Sequence, residues 1–77
     1  MNMTVLMGKL ERWTEKLAEK DFQEFTQAEQ KEMKRDYKLA EEQSKGFVAG
    51  AKSTLVVEAF RKQVMDMEGF FFETEKA

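Results

Sequence analysis

The chain has 77 residues, with 13 basic and 15 acidic side chains and no Cys, His or Pro. The lack of Cys excludes disulfides and thiolate metal sites, and the lack of His removes the commonest metal ligand and general base. A net charge of −2 gives no overall field towards nucleic acid or an anionic membrane, so such binding requires local clustering of charge. The abundance of Glu, Lys, Gln, Ala, Leu and Met predicts a single, almost entirely helical domain over residues 1–77.

The first predicted helix covers residues 3–23. Its apolar side chains recur at helical spacing, and charged residues fill the positions between them. The series is Met3, Leu6, Leu10, Trp13 and Leu17. After Leu17 the apolar side chains continue on a rotated face, so we expect the helix to end or fray across residues 21–25. Phe22 and Phe25 then close the bend to the second helix.

The second predicted helix covers residues 27–45. Thr26 and Glu29 match a capping box, in which the threonine hydroxyl accepts from the amide at position N3 and the glutamate reaches back to the cap amide. The short connection before Thr26 predicts that the first two helices are antiparallel neighbours. Gly46 suits a left-handed position after the helix, although small residues also continue beyond it.

The stretch Gly46 to Phe60 is apolar on every side and leaves two architectures open. If residues before and after this stretch formed one helix, the apolar stripe before it and the apolar stripe after it would lie on nearly opposite sides of that helix. A bend within residues 46–53 would turn both stripes to one core, whereas one continuous helix would need a partner chain. We favour the bend, because helix propensity falls where the stripe changes face.

A bend gives a third helix over residues 53–68, ended by Gly69, with a disordered tail over residues 73–77. The predicted fold is therefore all-α: a small antiparallel bundle of two long helices or three. A chain of this size without disulfides or metals commonly completes its core by oligomerisation, so we expect a homo-oligomer, a dimer or larger.

The best-supported function is a small non-enzymatic helical module that binds another protein through apolar helix surface, as a regulator, inhibitor, adaptor or chaperone. Phage and plasmid accessory proteins are often of this class. We expect the contact surface, or the self-association seam, on the stripe of the third helix and the aromatic run that follows it. The predicted interface comprises Ala49, Ser53, Val56, Phe60, Val64, Met67, Phe70, Phe71 and Phe72.

A basic ridge on the second helix suggests an alternative function. Lys31, Arg35 and Lys38 are spaced to meet successive phosphates of a nucleic acid or of a nucleotide. Glu41 and Glu42 interrupt the ridge, and no aromatic residue is interleaved for base stacking, so an ordinary solvated face is the favoured interpretation.

Three carboxylates at helical spacing, Glu29, Glu32 and Asp36, have the oxygen ligands that Mg²⁺ prefers. Glu29-Gln-Lys-Glu32 resembles the first half of the ExxE…ExxD pattern of all-α nucleotide pyrophosphohydrolases, but the second half is missing. Glu29 is also the capping-box candidate, so we expect neither a metal site nor another cofactor. Ser and Thr without His exclude a hydrolase triad, and we predict that the protein is not an enzyme.

The opening residues 1–10 include apolar side chains but lack the basic region, long apolar run and cleavage site of a secretory signal. The longest apolar stretch is interrupted by Lys52 and Glu58 and is too short to span a bilayer. The sequence therefore predicts a cytoplasmic protein without a membrane partner.

Overall fold

The computed structural model describes residues 2–45 and 51–71, and it confirms the prediction of a small all-α bundle. Three α-helices follow one another, with a 3-10 turn between the first two. They are α1 (Met3–Leu17), the 3-10 turn (Phe22–Glu24), α2 (Gln27–Ser44) and α3 (Lys52–Val64).

Each helix contacts the other two. Lys9 of α1 meets Asp36 of α2, whereas Lys16, later in α1, lies close to Glu29 at the start of α2, so these two helices are antiparallel. Gly8 of α1 lies near Ser53 at the start of α3, and Glu15, later in α1, lies near Ala59, later in α3. Helices α1 and α3 therefore run parallel. The core lies between the three helices and comprises Leu6, Met7, Leu10, Trp13, Leu17, Phe22, Phe25, Met33, Tyr37, Ala40, Val56, Val57, Phe60 and Val64.

Helix α1 begins where predicted but ends at Leu17, so the predicted end at residue 23 is wrong. The reason is a second capping box that the sequence analysis missed. The Asp21 carboxylate accepts from the amide of Gln23, and the Glu24 carboxylate accepts from the Asp21 amide at 3.3 Å. These bonds start a separate 3-10 turn, which buries Phe22.

Helix α2 begins at the predicted capping box, which the structure confirms. The Glu29 amide donates to the Thr26 hydroxyl at 3.1 Å, and the Thr26 amide donates to the Glu29 carboxylate at 3.1 Å. This hydrogen bonding lowers the pKa of Glu29 below its ordinary value of 4.5. Helix α2 ends at Ser44, close to the predicted residue 45.

Helices α2 and α3 are separate, so the alternative of one continuous helix is wrong. Lys45 follows the last residue of α2 as its C-cap, and Ala51 has extended backbone angles, φ −62° and ψ 150°, before α3 begins. Residues 46–50, including the predicted turn at Gly46, lie outside the described residues. Both apolar stripes face one core, where Tyr37 of α2 stacks on Phe60 of α3 with ring centroids 5.6 Å apart.

The segment after α3 folds back onto the bundle. Helix α3 ends at Val64, earlier than the predicted residue 68, and the chain reverses at Gly69, whose φ is +90°. The side-chain amide of Gln23 donates to the Glu68 carbonyl at 2.7 Å. Phe70 then packs edge-on against Phe22, with ring centroids 5.2 Å apart. Gly69 therefore marks this reversal, several residues beyond the end of the helix, while the predicted tail over residues 73–77 lies outside the described residues.

Two glycines give a matched test of this description. Gly69→Ala should destabilise the protein by about 1–2 kcal/mol, because a side chain is disfavoured at positive φ and the new Cβ would collide with Gln23. Gly8 lies inside α1, where a Cβ would meet only the Arg12 guanidinium at an ordinary 3.7 Å. Gly8→Ala should therefore stabilise the protein by about 0.5–1 kcal/mol. Urea unfolding followed by circular dichroism measures both, and equal signs for the two variants would contradict the assignment.

Candidate interaction surfaces

Four residues of the predicted interface lie in the domain's own core: Ser53, Val56, Phe60 and Val64. Their stripe on α3 faces α1 and α2, so these side chains are covered by the same chain. Helical periodicity identifies an apolar face but does not say which molecule covers it. Ala49 and Phe72, also predicted for the interface, lie outside the described residues.

The rest of the predicted interface lies at the returning C-terminal segment. Met67 and Phe70 are partly buried against the core, while Phe71 is 44% exposed. Phe71 meets Phe70 edge-on, with centroids 5.0 Å apart, and meets Tyr37 edge-on at 5.8 Å. We call Tyr37, Phe70 and Phe71 the aromatic cluster. Its outer ring is fixed by two neighbours and is open to solvent on its remaining side.

The tyrosine of the aromatic cluster is held as a neutral donor. Its hydroxyl donates to the Glu41 carboxylate at 3.3 Å. Burial raises the pKa of Tyr37 above its ordinary value of 10.0, and the negative charge of Glu41 adds to the shift. The hydrogen bond to Glu41 and the stacking on Phe60 position the Tyr37 ring where it meets Phe71.

A buried polar group joins α1 to α2 and was missed by the sequence analysis. Asp36 is completely buried, and its Oδ2 accepts from Trp13 Nε1 at 3.0 Å and from Lys9 Nζ at 3.2 Å. Lys9 also pairs with the more exposed Glu32 at 2.9 Å. We call Lys9, Trp13 and Asp36 the buried polar triad. The sequence did contain one indication that Asp36 is buried. Asp36 lies three residues after Met33 and four before Ala40, within the apolar stripe.

Two of these ionic groups shift each other's proton affinity. The hydrogen bond to Glu32 raises the pKa of Lys9, and the same bond lowers the pKa of Glu32. Glu29 is occupied by the Thr26 cap. In the described ranges 2–45 and 51–71, the structure forms no cluster of three carboxylates that could hold a metal ion.

The predicted phosphate-binding residues, Lys31, Arg35 and Lys38, are all exposed along α2. The structure adds cations from α1 that the sequence analysis did not assign to this side. Arg12 and Lys16 line a cleft between α1 and α2, together with Glu29 and Glu32. The pKa of Glu29 is lowered mainly by its hydrogen bond with Thr26, and the charges of Lys20 and Lys16 add to that lowering. We call the cations of this side the basic surface; they are Arg12, Lys16, Lys20, Lys31, Arg35 and Lys38.

A groove between α1 and α3 forms a further open surface. Two adjoining depressions, of about 440 and 370 Å³, share Glu11 and Lys52 in their walls. Leu55, which lines the first depression, is 55% exposed. The groove between these helices is lined by Thr4, Gly8, Glu11, Glu15, Lys52, Leu55 and Ala59.

No protein-family model matches the chain, and no curated protein or solved structure is significantly similar to it. Among the residues described here, none of the helices is long and apolar enough to cross a membrane. Any assignment of function therefore depends on the surfaces described above.

The buried polar triad gives a test of what holds α1 against α2. Lys9→Met should destabilise the protein by about 3 kcal/mol, since it leaves the Asp36 charge buried without its ion-pair partner. Adding Asp36→Asn should recover much of that loss, because the amide oxygen still accepts from Trp13 while the buried charge is gone. Urea unfolding of the single and double variants measures the difference. A double variant no more stable than Lys9→Met would contradict the role of the buried charge.

Proposed function

We propose that this protein is a non-enzymatic module that binds another protein through its aromatic cluster. The observation that supports the proposal is the position of Phe71. This ring is nearly half exposed, yet Tyr37 and Phe70 hold it in place. Aromatic side chains that anchor protein interfaces have this combination of exposure and preorganisation, because little conformational entropy is lost on binding.

The neighbourhood of the cluster supports the same function. Gln23 fixes the returning segment through the Glu68 carbonyl, and Gly69 provides the reversal that brings the aromatic residues back to the bundle. Phe70 fills the space beside Phe60, with ring centroids 5.5 Å apart, so its neighbour in sequence is turned outwards. The same segment thus completes the core with one ring and presents the next ring to a partner.

Photocrosslinking tests this proposal. Benzoylphenylalanine replaces Phe71 in one variant and Leu39 in a matched control, since Leu39 is 37% exposed on the other side of α2. In the cells that produce the protein, position 71 should give a discrete protein adduct that position 39 does not give. Unlabelled wild-type protein should compete for the adduct, and Phe71→Ala competitor should not. The same adducts from both positions would contradict the proposal.

A phosphate-bearing ligand, a nucleic acid or a nucleotide, is the second candidate. The observation that favours it is the basic surface, where Arg12 and Lys16 of α1 join the predicted Lys31, Arg35 and Lys38 of α2. Cations on two neighbouring helices can neutralise more phosphates than one ridge can, which strengthens electrostatic binding.

Fluorescence anisotropy with a labelled duplex oligonucleotide tests the second candidate at several salt concentrations. The Lys31→Glu, Arg35→Glu and Lys38→Glu triple variant should lose binding, and wild-type affinity should fall as salt rises. The matched comparison uses two double variants, Lys31→Glu with Arg35→Glu on the ridge and Arg61→Glu with Lys62→Glu on α3. Both change the net charge equally, and the α3 variant should bind with a smaller loss. Equal loss in both double variants, or no wild-type binding, would rule out a site on this ridge.

A further inference from the structure

The groove between α1 and α3 has opposite charges on its two sides. Glu11 and Glu15 of α1 form one side, and Lys52 of α3 lies on the other. Among the described residues, the ion pairs formed within the chain are those of Lys9, so Glu11 and Lys52 do not pair with each other. Within the described part of the chain, neither charge has an ion-pair partner, and each can pair with a neighbouring molecule.

The floor and walls of the groove differ in size as well as in charge. In the first depression Leu55 projects beside the small Ala59, with 55% of its surface exposed, and the second depression contains Gly8. An exposed leucine beside a small residue leaves room for a second surface of the same kind to approach closely.

Symmetry decides which orientation of a second copy the charges allow. A two-fold axis parallel to the helices places α1 of each copy against α3 of the other at the same height. Glu11 and Lys52 lie at the same height, since both line both depressions. A two-fold axis perpendicular to the helices would instead bring α1 against α1, with glutamates facing glutamates.

We propose that a second copy of this chain occupies the α1–α3 groove in a parallel two-fold dimer. Glu11 pairs with the partner's Lys52, and Leu55 lies over the partner's Thr14, because Leu55 and Thr14 line the same depression and so share one height. This dimer uses a surface separate from the aromatic cluster. The dimer proposal therefore goes beyond the proposed protein-binding function and does not depend on it. The occupant is this chain and not an unrelated helix, because both charges that the groove requires are supplied by the groove itself.

The experiment measures the solution mass by size-exclusion chromatography with light scattering over a range of concentrations. Wild-type protein should shift from 9.1 kDa towards twice that mass as concentration rises. Leu55→Glu should weaken the dimer at least about tenfold, because a buried anchor is replaced by a charge. Leu39→Glu is the matched control on α2 and should leave the dimer intact.

A charge exchange tests the pairing itself. Glu11→Lys alone and Lys52→Glu alone should each weaken the dimer, since each places like charges together across the axis. The double variant should recover most of the wild-type affinity. Circular dichroism verifies that each variant remains helical. A wild-type chain that stays at 9.1 kDa up to millimolar concentration, a dimer unaffected by Leu55→Glu, or a double variant without rescue would each overturn the proposal.

Phe71→Ala separates this dimer from the proposed partner binding. It should retain the concentration-dependent mass while failing to compete in the crosslinking experiment. A dimer that depends on Phe71 would assign self-association to the aromatic cluster and would also overturn the groove proposal.

Discussion

The buried carboxylate of Asp36 fixes how α1 and α2 pack, and the rest of the bundle depends on that pairing. A charge without access to water is tolerated only where its partners are in place, because desolvation costs several kcal/mol. Trp13 and Lys9 supply those partners from α1 at 3.0 and 3.2 Å, both at Oδ2, while Oδ1 has no hydrogen-bond partner among the described residues. Sliding or rotating α1 would strand the carboxylate, whereas purely apolar contacts would tolerate such a shift. The polar contacts thus select one register, and the apolar residues around them supply most of the favourable free energy.

Once that register is set, the three grooves of the bundle have different environments. The returning segment closes the groove between α2 and α3, where Phe70 contacts both Tyr37 and Phe60. The groove between α1 and α2 contains the buried polar triad, and the cleft beside it is lined by both cations and carboxylates. The α1–α3 groove is lined by small residues and by Leu55, and it remains open. Each groove therefore has its own chemistry for a partner.

Local signals in the sequence were sufficient for much of the fold. The Thr26 capping box and the apolar stripes depend on neighbours within a few residues, and the structure confirms the box and the three-helix architecture. The prediction for the first helix was too long, because the Asp21 cap starts a separate 3-10 turn, in which Phe22 is buried in the core.

The surfaces were harder to predict, because they depend on contacts between residues distant in sequence. Phe60 and Phe71 both belong to apolar runs, yet one is fully buried and the other is nearly half exposed. Their difference arises from the reversal at Gly69, which carries Phe70 back between two helices. Asp36 was recognisable as a polar residue within an apolar stripe, but its partners lie 23 and 27 positions earlier and no local pattern identifies them.

Although the net charge is only −2, positive and negative side chains lie on opposite flanks of α1. Helical spacing places Lys9, Arg12 and Lys16 on the flank of α1 that faces α2, and Glu11 and Glu15 on the flank that faces α3. Composition therefore excludes a strong overall field but not two local fields of opposite sign, since charges beyond about 10 Å are screened at ordinary ionic strength. Because α1 separates the two fields, an anionic ligand on one side and a second copy on the other would not compete for the same residues.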